Sequence, residues 1–172
     1  DLETAIPYAL NNQFDLLVLL GNGPIGAPWP ELAGEPDLTA IRDAIAIMRR
    51  MNREEDLGIA FFGGIRTGTD GAKLISLGAN VMIVGAAMGF ALGGRIEGSG
   101  LAFHADYSGD DRSEAAVMLL QALSGEAAIM ARCTGKTNVH NLEPEDLRSI
   151  TLKTARAAGI PLAGARVAAK AK

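Results

Sequence analysis

Three short apolar runs, separated by segments with helical periodicity, constrain the fold of this chain most strongly. The runs cover residues 14–20, 58–62 and 80–84. Between them, residues 38–48 repeat apolar side chains at steps of three and four after Asp37, which can cap a helix, and residues 70–77 form a short helix that Gly78 ends. Strands that alternate with helices predict a parallel α/β sheet with right-handed crossovers, in an open sheet or a closed barrel.

The pattern changes after residue 94, where we expect the strands to stop. Residues 113–123 and 126–133 have helical periodicity, and residues 144–158 predict a helix with Pro144 in its first turn and Gly159 just past its end. The sequence therefore predicts two regions, a strand-bearing region at 1–94 and a mainly helical extension at 95–172 that packs on it.

Composition excludes several classes of function. The 172 residues are 48% apolar and 21% charged, enough for one sizeable core. The net charge is −4 with 16 scattered Lys and Arg residues, so we expect no nucleic-acid partner. The longest apolar stretch, at 81–94, is shorter than the roughly 20 residues that span a bilayer, and the first residues do not resemble a signal peptide. We therefore expect a truncated chain of a cytoplasmic protein with no membrane partner.

The metal-binding side chains are few and far apart. Cys133 is the single cysteine, so it forms no internal disulfide and cannot alone hold an iron–sulfur cluster or a structural zinc ion. His104 and His140 lack the short spacing of a metal-binding pair. We expect no metal site.

The first glycine-rich loop matches a dinucleotide fingerprint by letters only. Residues 21–26 read GNGPIG directly after the first apolar run. In a true fingerprint the last glycine opens a helix that receives a pyrophosphate, whereas here Pro24, Pro28 and Pro30 keep the backbone from becoming helical. We expect no dinucleotide site there, and Trp29 is predicted to be a packed loop anchor.

The second and third glycine loops predict a phosphate site. Gly63 and Gly64 leave the second strand before a short helix, and Gly85 and Ala86 leave the third strand. Small residues let backbone N–H groups approach an anion, and phosphate between the last two βα loops is a recurring feature of (β/α)8 barrels. We predict that these four amides bind phosphate and that Arg66 assists. The alternative is that the glycines only form tight turns.

The same residues carry a family resemblance. Residues 63–87, GGIRTGTDGAKLISLGANVMIVGAA, resemble the last two βα units of flavin mononucleotide (FMN) barrels, among them glutamate synthase, lactate oxidase relatives and IMP dehydrogenase. The glutamate synthase flavin domain fits best, through the Gly-rich loop at 21–28, Ala-Leu-Gly-Gly at 91–94 and Met-Ala-Arg-Cys at 130–133. The tail at 133–147 is similar to cluster-less members, including N-methylglutamate synthase-like subunits.

This resemblance implies a fold, a cofactor and a reaction. The fold would be the C-terminal part of a (β/α)8 TIM-type barrel, about three βα units, followed by a helical tail. The cofactor would be FMN, and the reaction would reduce an imine of 2-oxoglutarate and an amine to glutamate or an N-substituted glutamate. Common glutamate synthases carry three cysteines after the barrel, so the lone Cys133 implies that their [3Fe–4S] cluster is absent. The resemblance assigns no proton donor to this chain.

Three strands cannot close a barrel of eight, which takes about 250 residues. We therefore expect another chain or fragment to supply the remaining strands. Two other functions stay open at this point: a phosphate-substrate barrel isomerase or lyase without flavin, and a non-catalytic fragment or scaffold subunit.

Overall fold

The computed structural model describes residues 1–22, 29–32, 34–104 and 106–165. Its centre is a parallel sheet of three strands in the order β1 (Leu16–Leu20), β2 (Gly58–Phe62) and β3 (Val81–Ile83). The register pairs Leu20 with Phe62 and Phe62 with Ile83, so the carboxyl ends of all three strands lie at one edge. The predicted alternation of strands and helices is confirmed, with β1 two residues shorter than the apolar run.

Six α-helices accompany the strands in the described ranges of the chain. Helix α1, at the start of the chain, was not predicted, and α4 is a single short segment between β3 and the tail. Short 3-10 turns cover Pro30–Leu32, Val139–Asn141 and Pro144–Asp146. The helices are α1 (Leu2–Asn11), α2 (Thr39–Arg50), α3 (Gly68–Leu77), α4 (Ala86–Ala91), α5 (Gly109–Cys133) and α6 (Leu152–Ala158).

Local sequence explains where α2 begins and where α3 begins and ends. The Asp37 side chain accepts the N–H of Thr39, the first residue of α2, at 2.9 Å, although Leu38 occupies the N-cap position and has no capping side chain. Helix α3 starts with a capping box, in which the side chain of Thr67 accepts the backbone N–H of Asp70 and the side chain of Asp70 accepts the backbone N–H of Thr67. It ends at Gly78, whose φ of 115° is reached easily only by glycine.

One face of the sheet is covered by helices α1, α2 and α3. Strand residues with side chains on this face, which we call the covered face, pack into the main apolar core. Phe61, the fourth of the five residues of the central strand, has no exposed surface. The core side chains are Leu19, Ile59 and Phe61 from the strands and Ile6, Leu10, Ile41, Met48, Leu74 and Leu77 from the helices.

The opposite face of the sheet, which we call the bare face, has exposed apolar side chains on its two outer strands, whereas Ala60 of the central strand is buried. Val18 lies beside Ala60, which lies beside Val81, so these three form one row across the sheet. Val18 is 52% exposed, Val81 44% and Leu16 46%. An unbroken apolar run such as residues 14–20 is typical of a strand covered on both faces, as in a parallel sheet. In the part of the chain that the structure describes, Leu16 and Val18 of β1 are instead about half exposed on the bare face.

Asn80 fixes where β3 pairs with β2. Its Oδ1 accepts the N–H of Ile59 at 2.7 Å, while its own N–H donates to the carbonyl of Ile59 at 2.8 Å. The side chain thereby makes a ladder-like hydrogen bond one residue before the strand begins.

The prediction that strands stop after residue 94 is wrong. β4 (Gly94–Glu97) and β5 (Gly100–Phe103) form an antiparallel hairpin with a two-residue turn at 98–99. Gly98 has a φ of 61°, which a Gly-Ser turn of this kind accommodates. The predicted boundary at residue 94 falls at the start of this hairpin.

The two predicted helices at 113–123 and 126–133 are one continuous helix, α5. Gly125 does not break it, because Leu123, Ala127 and Ala131 are buried on either side and α5 packs along α3. By length and composition alone, α5 could cross a membrane. From the sequence, we considered only the stretch at 81–94 for such a role. The stretch at 81–94 instead contains β3 and α4.

The predicted helix at 144–158 is interrupted. After the 3-10 turn at Pro144–Asp146 the backbone becomes extended, Ser149 bridges to Leu162, and α6 begins anew with Thr151 as its cap. Serine and threonine side chains compete with the helical backbone for hydrogen bonds, and here Ser149 and Thr151 do so. Gly159 ends α6 with a φ of 64°, as predicted.

Candidate anion-binding site

The loops that follow the three parallel strands meet at one edge of the sheet. Asn22 follows β1, Gly63 and Gly64 follow β2, and Gly85 follows β3. A Cβ atom on Gly63 would lie 2.7 Å from Oδ1 of Asn22, and one on Gly85 would lie 2.7 Å from Cε2 of Phe62. These close contacts explain why glycine stands at both positions.

The loop after β3 holds an anion, and that anion belongs to the chain itself. The N–H of Ala86 donates to Oε2 of Glu31 at 2.6 Å, and the N–H of Gly85 donates to Oε1 at 3.3 Å. Glu31 is only 6% exposed. Each carboxylate oxygen thus has one backbone donor, an arrangement that stabilises a buried negative charge.

The loop after β2 is built differently. Gly64 has a φ of 63°, and a Cβ there would lie 3.2 Å from the ring of Pro36. Oδ1 of Asn22 is buried and finds no hydrogen-bond partner in the part of the chain that the structure describes. The Nδ2 atom of Asn22 donates to the carbonyl of Gly34 at 2.7 Å, which orients Oδ1 toward Gly63.

Arg66 lies on the surface next to these glycines. Its side chain forms no ion pair with any residue in the described ranges. Its backbone N–H and that of Thr67 both donate to Oδ2 of Asp70, at 3.2 and 3.1 Å. The guanidinium is therefore available to an anion, whereas the backbone of the same residue is already used for capping.

Glu126 of α5 completes the capping of α3. Its carboxylate accepts the N–H of Gly68 at 2.7 Å and the hydroxyl of Thr69. These hydrogen bonds, first from Thr69 and then from Gly68, hold the pKa of Glu126 below its usual value. The N–H groups of Gly68 and Asp70 at the start of α3 thus donate to the chain's own side chains and are not free to bind an external anion.

The predicted site residues therefore fall into two groups. Gly63, Gly64 and Arg66 surround the end of β2, while Gly85 and Ala86 hold Glu31. Sequence reasoning missed Glu31 and Glu126, which reach these loops from 54 and 58 residues away in the chain. No local spacing marks either residue, since both act through tertiary contacts.

Comparison with known proteins gives one curated relative at high significance. The chain is similar to the glutamate synthase large subunit-like protein of Rhizobium meliloti (strain 1021), with 31% identity over 163 residues. The match covers 78% of this chain and 37% of that protein. The chain thus spans little more than a third of this relative's length. No protein-family model matches it.

Solved structures with a similar fold include those of flavocytochrome b2. The recombinant flavin-binding domain of baker's yeast flavocytochrome b2 matches with a TM-score of 0.61 at 21% identity, over 92% of this chain and 35% of that one. A mutant of flavocytochrome b2 with pyruvate bound matches with a TM-score of 0.61 at 22% identity over the same shares. The predicted fold class is confirmed: the chain is an α/β protein with part of a (β/α)8 barrel.

Proposed function

We propose that this chain forms the phosphate-binding part of an FMN-dependent oxidoreductase of the glutamate synthase type. The relative that supports this proposal is named as glutamate synthase large subunit-like, and the structural neighbours include a flavin-binding domain. The observation that carries the proposal is the carboxylate of Glu31 between the amides of Gly85 and Ala86, because those two donors already stabilise an oxyanion.

The phosphate of FMN would bind between the loop of Gly63 and Gly64 and the loop of Gly85 and Ala86. The amides of Gly85 and Ala86 would donate to one side of the phosphate, and the loop of Gly63 and Gly64 would face the other side. The exposed guanidinium of Arg66 would form a charge-assisted hydrogen bond to the same group. Glycine is needed at 63 and 85 because a side chain at either position would overlap its neighbours.

The bound flavin would supply the redox chemistry, namely a hydride for the carbon of an imine whose nitrogen gains a proton. The imine would come from a 2-oxo acid such as 2-oxoglutarate and an amine, and the product would be glutamate or an N-substituted glutamate. The residues of this chain would bind and orient. Glu31 and Asp70, whose carboxylates reach the loops of this site, are both hydrogen-bonded to backbone amides, so we assign neither of them the proton transfer.

We further propose that another chain, or a further segment of the same protein, covers the bare face. Strand β1 lies at one edge of the sheet and β3 at the other, and both carry exposed apolar side chains on that face. Five more strands would close the barrel and bury Leu16, Val18 and Val81 in its interior. Amide hydrogen exchange in β1 and β3 should slow when those strands are present, whereas β2 should change little.

A flavin titration tests the proposed cofactor. The protein, with the strands that complete its barrel, is titrated with FMN and with riboflavin while flavin fluorescence is followed. FMN should bind at least about tenfold more tightly than riboflavin, because only FMN carries the phosphate. Arg66→Ala should weaken FMN binding about tenfold and leave riboflavin unaffected. Arg49→Ala is the matched control, since Arg49 of α2 forms an exposed ion pair with Glu54.

The outcomes separate the candidate functions. Equal binding of FMN and riboflavin would remove the phosphate site from the proposal. Failure of the complete assembly to bind either flavin would reject the flavoenzyme, and binding of inorganic phosphate in that case would support a phosphate-substrate barrel instead.

A further inference from the structure

The seat proposed for a phosphate is filled in this structure by a side chain. The carboxylate of Glu31 accepts one N–H from Gly85 and one from Ala86, at 3.3 and 2.6 Å. The same residue is buried, and a Cβ on Gly85 would collide with its Oε2 atom. Glu31 is therefore packed tightly into the loop after β3.

A carboxylate and a phosphate cannot use these donors together. Each backbone N–H makes one strong hydrogen bond, and both groups present negative oxygens at the same distance from the nitrogen. A buried carboxylate beside a phosphate would also repel it, since charges interact strongly where water is excluded. A phosphate at the amides of Gly85 and Ala86 thus requires that Glu31 leaves them.

We propose that the carboxylate of Glu31 competes with phosphate for the N–H groups of Gly85 and Ala86. Glu31 must therefore move away from these donors before a phosphate-bearing ligand binds. This inference rests on the proposed function only for the identity of that ligand. Glu31 thereby sets ligand affinity, because a ligand with a dianionic phosphate has to displace the Glu31 carboxylate from the two N–H donors.

The displacement has a natural reporter two residues away. Trp29 is the only tryptophan of the chain. Its ring lies against Gly100 and Gly89, where added Cβ atoms would be 3.0 and 3.3 Å from it. The 3-10 turn of Pro30–Leu32 begins directly after it. Movement of Glu31 should therefore change the packing, and hence the fluorescence, of Trp29.

The test compares Glu31→Gln with the parent protein and with Glu35→Gln. Glu35 is an exposed acid of the same segment, so it controls for the loss of a charge. Each protein is titrated with inorganic phosphate, FMN and riboflavin. Glu31→Gln should bind phosphate and FMN about tenfold more tightly, because a neutral amide competes less well for the two donors. Riboflavin affinity should not change, and Glu35→Gln should behave like the parent.

In the parent protein, phosphate should shift the emission of Trp29. Equal phosphate and FMN affinities in the parent and Glu31→Gln, or weaker binding in the variant, would overturn the competition. Failure of every protein to bind phosphate or FMN would overturn it as well. If Glu31→Gln binds phosphate more tightly than the parent while no protein binds FMN, the competition by Glu31 is supported and FMN is rejected as the cofactor.

A second measurement covers the case that Glu31→Gln does not fold. Hydrogen exchange is followed in the parent protein with and without phosphate. Exchange of the amides at 30–32 should accelerate when phosphate is added, and exchange at 85–86 should slow. Unchanged or slower exchange at 30–32 would show that Glu31 stays in place, and would overturn the inference.

Discussion

The two faces of the small sheet have similar sequences but opposite surroundings. On the covered face Leu19, Phe61 and Met82 form a row that packs against helices, and on the bare face Val18, Ala60 and Val81 form a row that ends in exposed side chains. Both rows are apolar. Apolar side chains on both faces of a strand indicate packing partners on both faces. The residues that the structure describes supply helices for the covered face, whereas Val18 and Val81 on the bare face stay exposed.

The largest expected effect breaks the covered face. Phe61→Ala removes a fully buried aromatic ring and should lower the free energy of unfolding by about 3–5 kcal/mol. Urea denaturation followed by circular dichroism measures it. A loss below about 1 kcal/mol would mean that the helices do not pack on this face as described.

The next effect tests the layer outside α3. Gly68→Ala would place a Cβ against the carbonyl of Leu123 and 2.6 Å from the backbone nitrogen of Ala127. Backbone cannot yield easily, so this change should cost about 1–3 kcal/mol in the same assay. Gly125→Ala is the matched control, because open space surrounds that glycine in the middle of α5, and it should stabilise the protein by about 0.5–1 kcal/mol. Equal stability of the two variants would argue against close packing of α5 on α3.

A smaller, pH-dependent effect comes from Glu126. Its folded-state pKa lies below the usual value, so its stabilising contribution is present above the pKa of the unfolded chain, about 4.3, and is lost as the pH falls through the lower folded-state pKa. Glu126→Gln should therefore lower the melting temperature at pH 7 and match the parent at a pH below both values. Glu114→Gln, at an exposed site on α5, is the control. A difference that persists undiminished in strong acid would contradict the assignment.

The smallest effect sharpens the comparison from the bare face. Val18→Thr should change the stability of this chain by less than about 0.5 kcal/mol, because Val18 is half exposed. The same substitution should cost more when the strands that close the barrel are present, since the hydroxyl would then be buried. Chemical denaturation of the chain alone and of the complete barrel measures both values. An equal cost in the two states would mean that nothing covers this face.

The sequence predicts most of the sheet and its loops, because local patterns determine them. Strand β2 has the predicted bounds, and the ends of α3 and α6 lie at the glycines that the sequence indicated. The hairpin at 94–103 could also have been predicted, since Gly98 and Ser99 form a typical two-residue turn. We missed it because its strands are only four residues long.

The parts that could not be predicted depend on contacts between distant segments. The break before α6 comes from the pairing of Ser149 with Leu162 and not from a helix-breaking residue. The partner of the Gly85 loop, Glu31, lies in a proline-flanked turn without a recognisable motif. Such contacts become visible only when the chain is folded.

Asn80 has a consequence for the site that lies at the other end of its strand. A parallel strand of only three residues has few ladder bonds with which to choose its alignment, and a slip by one residue would turn every side chain to the opposite face. Asn80 forms one hydrogen bond to Ile59 with its backbone and another with its side chain, and both bonds hold β3 in one register against β2. The alignment of the Gly63 and Gly85 loops therefore depends on a residue at the opposite, amino-terminal end of the strands, which no ligand at those loops would contact.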